Sequence, residues 1–83
     1  MDRQEPIEDR VLDYYMAQIE GGFLLPGDLL PSYKEASVKW HCTTSTISRV
    51  YYALRVLRYI TGRLGYGMIV TKPELRWRQP LKY

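Results

Sequence analysis

Eighty-three residues make one domain with one core, since a chain of this size buries only about 60% of the surface its extended form exposes. The composition, 46% hydrophobic and 25% charged, is that of a globular domain, and no apolar run approaches the roughly 18 residues of a membrane span. No secretory signal is expected either. A single cysteine, Cys42, excludes an internal disulfide, and with the lone histidine, His41, it cannot complete a four-ligand zinc site. These features predict a reduced, cytoplasmic setting with no metal and no cofactor. The net charge of +3 hides a polarity: residues 1–31 carry Arg3 and Arg10 against seven acids, whereas residues 32–83 carry ten Lys and Arg against Glu35 and Glu74. That distribution points the second part of the chain at a polyanion.

Along the chain, Ile7, Val11, Tyr14 or Tyr15, and Ile19 recur at helical spacing from Pro6 to Glu20, with acids in the first turn and on the opposite side. Gly21 and Gly22 end this first helix. In the stretch from Phe23 to Pro31, Pro26-Gly27 fits the two centre positions of a type II turn, and the apolar residues around it predict a buried connector with a short strand. Ser32-Tyr33-Lys34-Glu35 is a capping box, so a second helix starts at Tyr33 and runs through Ala36 to Trp40. His41 falls in the turn that follows, histidine being one of the few residues other than glycine that tolerates a positive φ. Thr43 is the next cap candidate.

From Thr44 onward, Ile47, Val50, Tyr51, Leu54 and Leu57 form the inward stripe of a third helix, and Thr44, Ser45, Ser48, Arg49, Tyr52 and Arg55 form the opposite face, which contains no acid. Tyr59-Ile60-Thr61-Gly62-Arg63 and Met68-Ile69-Val70-Thr71 read as strands joined by Leu64-Gly65-Tyr66-Gly67, a hairpin loop and not a phosphate-binding loop, because a β-branched run follows where a helix would be needed. Three helices and a hairpin make a mainly α fold with a small β-hairpin, a winged helix-turn-helix. Residues 1–71 form this domain. Residues 72–83, with Lys72, Arg76, Arg78, Lys82 and Trp77, form a basic tail.

The third helix is the candidate site. Recognition helices place their N-terminal residues at base edges and phosphates, and the small hydroxyls of Thr43, Thr44, Ser45 and Thr46 allow a phosphate to approach the free amides and the positive end of the helix dipole. Ser48 and Arg49 lie one turn further in, where an arginine can read guanine bidentately, and Tyr52 follows on the same face. At the wing, Arg63, the Gly65 amide and Tyr66 are placed for a phosphate or a minor groove. Trp40 and Cys42 read as packing residues, and Tyr14, Tyr15 and Tyr52 are candidates for a subunit interface.

The run Gly22-Phe23-Leu24-Leu25-Pro26-Gly27-Asp28-Leu29-Leu30-Pro31-Ser32 resembles the connector typical of the GntR family of transcriptional regulators. Thr46-Ile47-Ser48-Arg49-Val50-Tyr51-Tyr52-Ala53-Leu54 is similar to the recognition helix of that family's YtrA and MocR branches, and Gly65-Tyr66-Gly67-Met68-Ile69-Val70 resembles its wing. The resemblance covers about residues 6–71. It implies sequence-specific binding of double-stranded DNA by a homodimer on an inverted repeat, usually as a repressor, with Lys34 standing where the family carries an arginine on the second helix. It also shows departures: Thr44 and Ser48 occupy positions that are often basic, Arg58 stands where a glycine usually ends the third helix, and Tyr66 replaces a basic wing tip. Weaker phosphate binding per monomer follows. The family normally continues into an effector-binding or dimerising domain where this chain stops, so no small-molecule effector is expected within it, and the chain is either a fragment or a stand-alone module.

Two other readings stay open at this stage: an architectural DNA-binding factor in replication, partition or excision, and a winged helix used purely as a protein-interaction module. Enzymatic activity is not expected, because no nucleophile with base and orienter, carboxylate pair or metal set can be assembled from these residues.

Overall fold

The computed structural model describes residues 6–65 and 67–75, so Tyr66 and the tail from Arg76 to Tyr83 lie outside the described residues. Helix α1 spans Ile7–Glu20, α2 Tyr33–Trp40 and α3 Thr44–Val56; strands β1, Ile60–Arg63, and β2, Gly67–Val70, follow, and a 3-10 turn at Pro73–Leu75 closes the described chain. The two strands pair antiparallel with Ile60 opposite Val70 and Arg63 opposite Gly67. Three helices and a wing are therefore present in the expected order.

Local chemistry accounts for each boundary. Pro6 precedes α1 without a side-chain cap, and Glu8 and Asp9 in the first turn face the positive end of the helix dipole. Gly21 caps its C-terminus, and Gly22, at φ 83°, turns the chain away. The capping box forms in full: Glu35 donates its amide to the Ser32 hydroxyl at 3.1 Å, and the Ser32 amide donates to the Glu35 carboxylate at 3.0 Å. His41 ends α2 in the left-handed region at φ 54°. Two residues later Thr43 caps α3, accepting the Thr46 amide at 3.2 Å. The helix-turn-helix is thus a stop signal and a start signal with only Cys42 between them.

The connector is where the expectation of burial fails. Pro26-Gly27 does form the turn, with Gly27 at φ 93° and the Asp28 amide bonded to the Leu25 carbonyl at 2.9 Å, and the Asp28 carboxylate accepts the Leu25 amide at 2.8 Å. Yet Phe23, Leu25 and Leu29 are exposed, and only Leu30 is buried. For Leu29 the physical reason is that residues 27–30 lie along the edge of β2 and not beneath it. Gly27 donates to the Val70 carbonyl, Val70 to the Asp28 carbonyl and Leu30 to the Met68 carbonyl, each at 2.8–2.9 Å, and Leu29 bridges Ile69. One face of such an edge segment is left to solvent.

The core gathers Val11, Tyr15 and Ile19 from α1, Leu30 from the connector, Ala36 from α2, Ile47, Val50, Tyr51 and Leu54 from α3, and Tyr59, Ile60 and Val70 from the hairpin. The open choice on α1 falls to Tyr15, whose ring meets those of Tyr51 and Trp40 edge-on at 6.0 and 6.2 Å between centroids. Trp40 donates its indole N–H to the Tyr15 hydroxyl at 3.3 Å. Buried in this way, Tyr15 is not available for a subunit interface. Trp40 and Cys42 are half-buried against the core, as packing residues should be. Leu57 closes the inward stripe from just beyond the helix, as its C-cap.

Arg58 follows that cap at φ 67°, a left-handed conformation that costs a side-chain-bearing residue about 1–2 kcal/mol. Relief of this strain should outweigh the extra freedom glycine gives the unfolded chain. We therefore expect Arg58→Gly to stabilise the domain by roughly 0.5–1 kcal/mol, seen as a rise of a few degrees in thermal midpoint. An unchanged or lowered midpoint would mean that the arginine side chain makes compensating contacts.

Candidate nucleic-acid interface

Helix α3 packs its buried side, Ile47, Val50, Tyr51 and Leu54, against α1 and α2, which turns the other side outward. Thr44, Ser45, Arg49, Tyr52 and Arg55 are exposed there and Ser48 is half-buried. Ser45, Ser48, Arg49 and Tyr52 are neighbours by the three- and four-residue spacing of a helix surface. Tyr52 is 67% exposed on this face. The 13-residue helix is about 20 Å long and carries no acid in its sequence.

Two of the expected hydroxyls are engaged inside the protein. Thr43 lies at the N-cap with its oxygen committed to the Thr46 amide, and Thr46 itself is only 7% exposed, its hydroxyl 3.1 Å from that of Thr43. Thr46 is thus a correction to the sequence reading: it sits next to Ile47 on the inward side and locks the first turn, while Thr44 and Ser45 alone present hydroxyls from that turn to solvent. Lys34 is exposed at the second position of α2. The wing residues form a separate group, with Arg63 exposed at the end of β1 and Gly65 in the loop at φ 84° with open space around it. Tyr66 lies outside the described residues. Leu64, at the tip, is 99% exposed.

One participant was not legible in the sequence. Glu8, in the first turn of α1, accepts a hydrogen bond from Nε of Arg49, across 41 positions of chain. The only hint of it was an acid on α1 with Leu12, not a cation, at the i+4 position.

Tyr51 holds α3 in place from within. Its hydroxyl donates to the Pro31 carbonyl at 2.9 Å, and its ring lies 5.6 Å from that of Tyr33. Burial, reinforced by the neighbouring Tyr15 phenol, pushes the Tyr51 phenol far above its ordinary value of 10. Among the described residues, no group of three or more His, Cys, Asp and Glu could hold a metal, and no helix is long and apolar enough to cross a membrane.

No family model matches the chain. Over 68 residues it is 29% identical to the HTH-type transcriptional regulator YhcF of Bacillus subtilis strain 168, a match covering 82% of this chain and 56% of that protein. Among solved structures, a GntR family transcriptional regulator from Listeria monocytogenes aligns with a TM-score of 0.78 at 28% identity, over 89% of this chain and 65% of the other. The chain has the winged helix-turn-helix fold of GntR-family DNA-binding domains. YtrA from Sulfolobus acidocaldarius, a GntR-family transcription factor, shares this GntR-type fold at 25% identity with a TM-score of 0.76, over 86% and 74% of the two chains. So does the DNA-binding domain of AraR in complex with the operator ORR3, at 20% identity and a TM-score of 0.77, over 86% of each chain. The chain spans little more than half of YhcF and just under two thirds of the Listeria regulator.

The hydrogen bond from the Tyr51 hydroxyl to the Pro31 carbonyl ties α3 to the connector, and the raised phenol gives that tie a pH signature. The folded state holds the Tyr51 proton above pH 10, where the unfolded chain releases it, so this contribution is fully present below about pH 10 and is lost as pH rises beyond it. Tyr51→Phe should cost about 1 kcal/mol at neutral pH through the lost hydrogen bond and make the alkaline fall in stability shallower than that of the parent. Denaturant titrations from pH 7 to 11 would show it; parallel curves for the two proteins would count against a tyrosine held neutral by burial.

Proposed function

We propose that this chain is the DNA-binding module of a transcriptional regulator and binds double-stranded DNA sequence-specifically through α3. The observation that carries this reading is the exposed face of α3, Thr44, Ser45, Ser48, Arg49 and Tyr52, which has hydroxyls at the helix N-terminus, a forked cation one turn in and no acid of its own. The sharing of charge agrees with it, since the cations gather from Lys34 onward. The printed descriptions of the relatives agree too: YhcF and the Listeria protein are transcriptional regulators, YtrA is a transcription factor, and at the level of fold alone the AraR domain was solved on operator DNA.

On this reading Arg49 reads a base, Thr44, Ser45 and the α3 amides meet phosphates, and the wing, with Arg63, Gly65 and Tyr66, touches the backbone or minor groove beside it. Lys34 adds a phosphate contact from α2. Residues 1–71 are the binding unit, and the basic residues of 72–83 add attachment without sequence preference. We further propose a homodimer on an inverted repeat, acting as a repressor by occupying a promoter, because one module of this size makes a modest interface and paired half-sites multiply its selectivity.

Selection from randomised duplexes followed by footprinting tests these statements together. Two protected half-sites about one helical turn apart are expected; a single half-site holding one protein would defeat the dimer. Affinity should fall linearly with salt on logarithmic axes, and a salt-insensitive complex would defeat phosphate binding. Arg49→Ala should cost about 1–3 kcal/mol and relax the preference at one base pair per half-site. Deleting residues 72–83 should instead weaken all duplexes alike and flatten the salt slope by about one unit per lost phosphate contact. Loss of dimerisation with the salt slope intact would make the tail an assembly element.

A further inference from the structure

Arg49 is held before any DNA arrives. Its Nε donates to Oε2 of Glu8, and Glu8 is not on a loose terminus but in the first turn of α1, one turn before Val11, which is fully buried against the core. The backbone that carries the carboxylate is therefore anchored by the packing of α1 against α3. The pair remains open to solvent, with 60% of the Arg49 side chain and 40% of the Glu8 side chain exposed, so it contributes little to folding stability. Its value lies elsewhere.

A guanidinium carries five N–H donors in a rigid plane. A carboxylate on Nε occupies the side edge of that plane and leaves the end edge, Nη1 and Nη2, as the fork that can meet O6 and N7 of a guanine together. An arginine free to choose would present either edge to any phosphate, and would lose its rotamer freedom only on binding.

We propose that Glu8 is a positioning residue for base reading: by taking Nε it orients Arg49 so that the Nη1–Nη2 edge is offered to a guanine in the major groove, which makes α1 a contributor to sequence specificity without touching DNA. This rests on the proposed DNA-binding function. A second effect follows from charge, since an acid beside Arg49 opposes casual attachment to phosphate. Its removal leaves binding to unrelated duplex undiminished.

The test uses the full chain with Glu8→Ala, Glu8→Gln and Arg49→Ala, each also checked by thermal melting, and the Glu8→Ala/Arg49→Ala double variant. In the free protein, the Arg49 Nε–H proton should exchange slowly by NMR and should lose that protection in Glu8→Ala while keeping it in Glu8→Gln, whose amide oxygen still accepts. On the duplex selected by the parent protein, Glu8→Ala should lose about tenfold in discrimination at the base pair read by Arg49 while binding unrelated duplex at least as well. Glu8→Gln should retain most of the discrimination, and the double variant should be no worse than Arg49→Ala. Full discrimination in a folded Glu8→Ala, an additive loss in the double variant, or an Arg49→Ala that discriminates normally would each overturn the positioning role while leaving DNA binding intact. Failure of the parent protein to bind duplex at all would instead remove the functional reading, and the NMR result would then report the ion pair alone.

Discussion

The structure depends on how α3 is clamped between the remaining elements, and the clamp centres on Tyr51. Its ring meets Tyr15 of α1 and Tyr33 of α2, and its hydroxyl reaches the Pro31 carbonyl of the connector. Helix α1 and the junction of the connector with α2, two places far from α3 in sequence, are thereby referred to one side chain in the middle of a helix. Because that side of α3 is used up in packing, the polar side has a single orientation available. A small domain has no second core to correct an error in this one.

Most of the architecture could be read from local chemistry because its boundaries are made locally. The Ser32–Glu35 capping box, the left-handed His41, the Thr43 cap and the Pro26-Gly27 turn each involve residues within a few positions of one another, and each appears as the sequence implies. The inward stripe of α3 is equally direct, since helical periodicity and burial are the same fact seen twice. The connector misled for the opposite reason. A run of leucines looks buried, yet burial there is decided by a partner some 40 residues away, and the partner, β2, accepts the segment edgewise.

The candidate site shows the same division. Thr44, Ser45, Ser48, Arg49 and Tyr52 share a face because helix geometry requires it, so the sequence suffices to assemble them. Thr46 differs because it lies four residues before Val50, at the edge of the inward stripe, with its amide and hydroxyl engaged by Thr43; its hydroxyl chemistry suggested the outer face and its register decides for the inner one. The Glu8–Arg49 contact is a tertiary meeting of two charges on different helices, and nothing within either helix announces it. Family likeness supplied the fold, and the tertiary contacts of this chain supply what is its own.

The edge pairing of the connector with β2 has a consequence for the order in which the molecule assembles. The bonds from Gly27, Asp28 and Leu30 to Met68 and Val70 close a loop of about 40 residues that encloses all of α2 and α3, and the packing of α1 on α3, as between Tyr15 and Tyr51, spans a similar length of chain. Long-range closures of this kind are slow and come after local structure, because chain entropy must be lost before the contact returns any energy. The two local units, the α2–α3 helix-turn-helix and the β1–β2 hairpin, therefore form before α1 and the connector close over them. The amides of Leu30 and Val70 belong to one such closure, so hydrogen exchange at the two is coupled, as one unit of the structure.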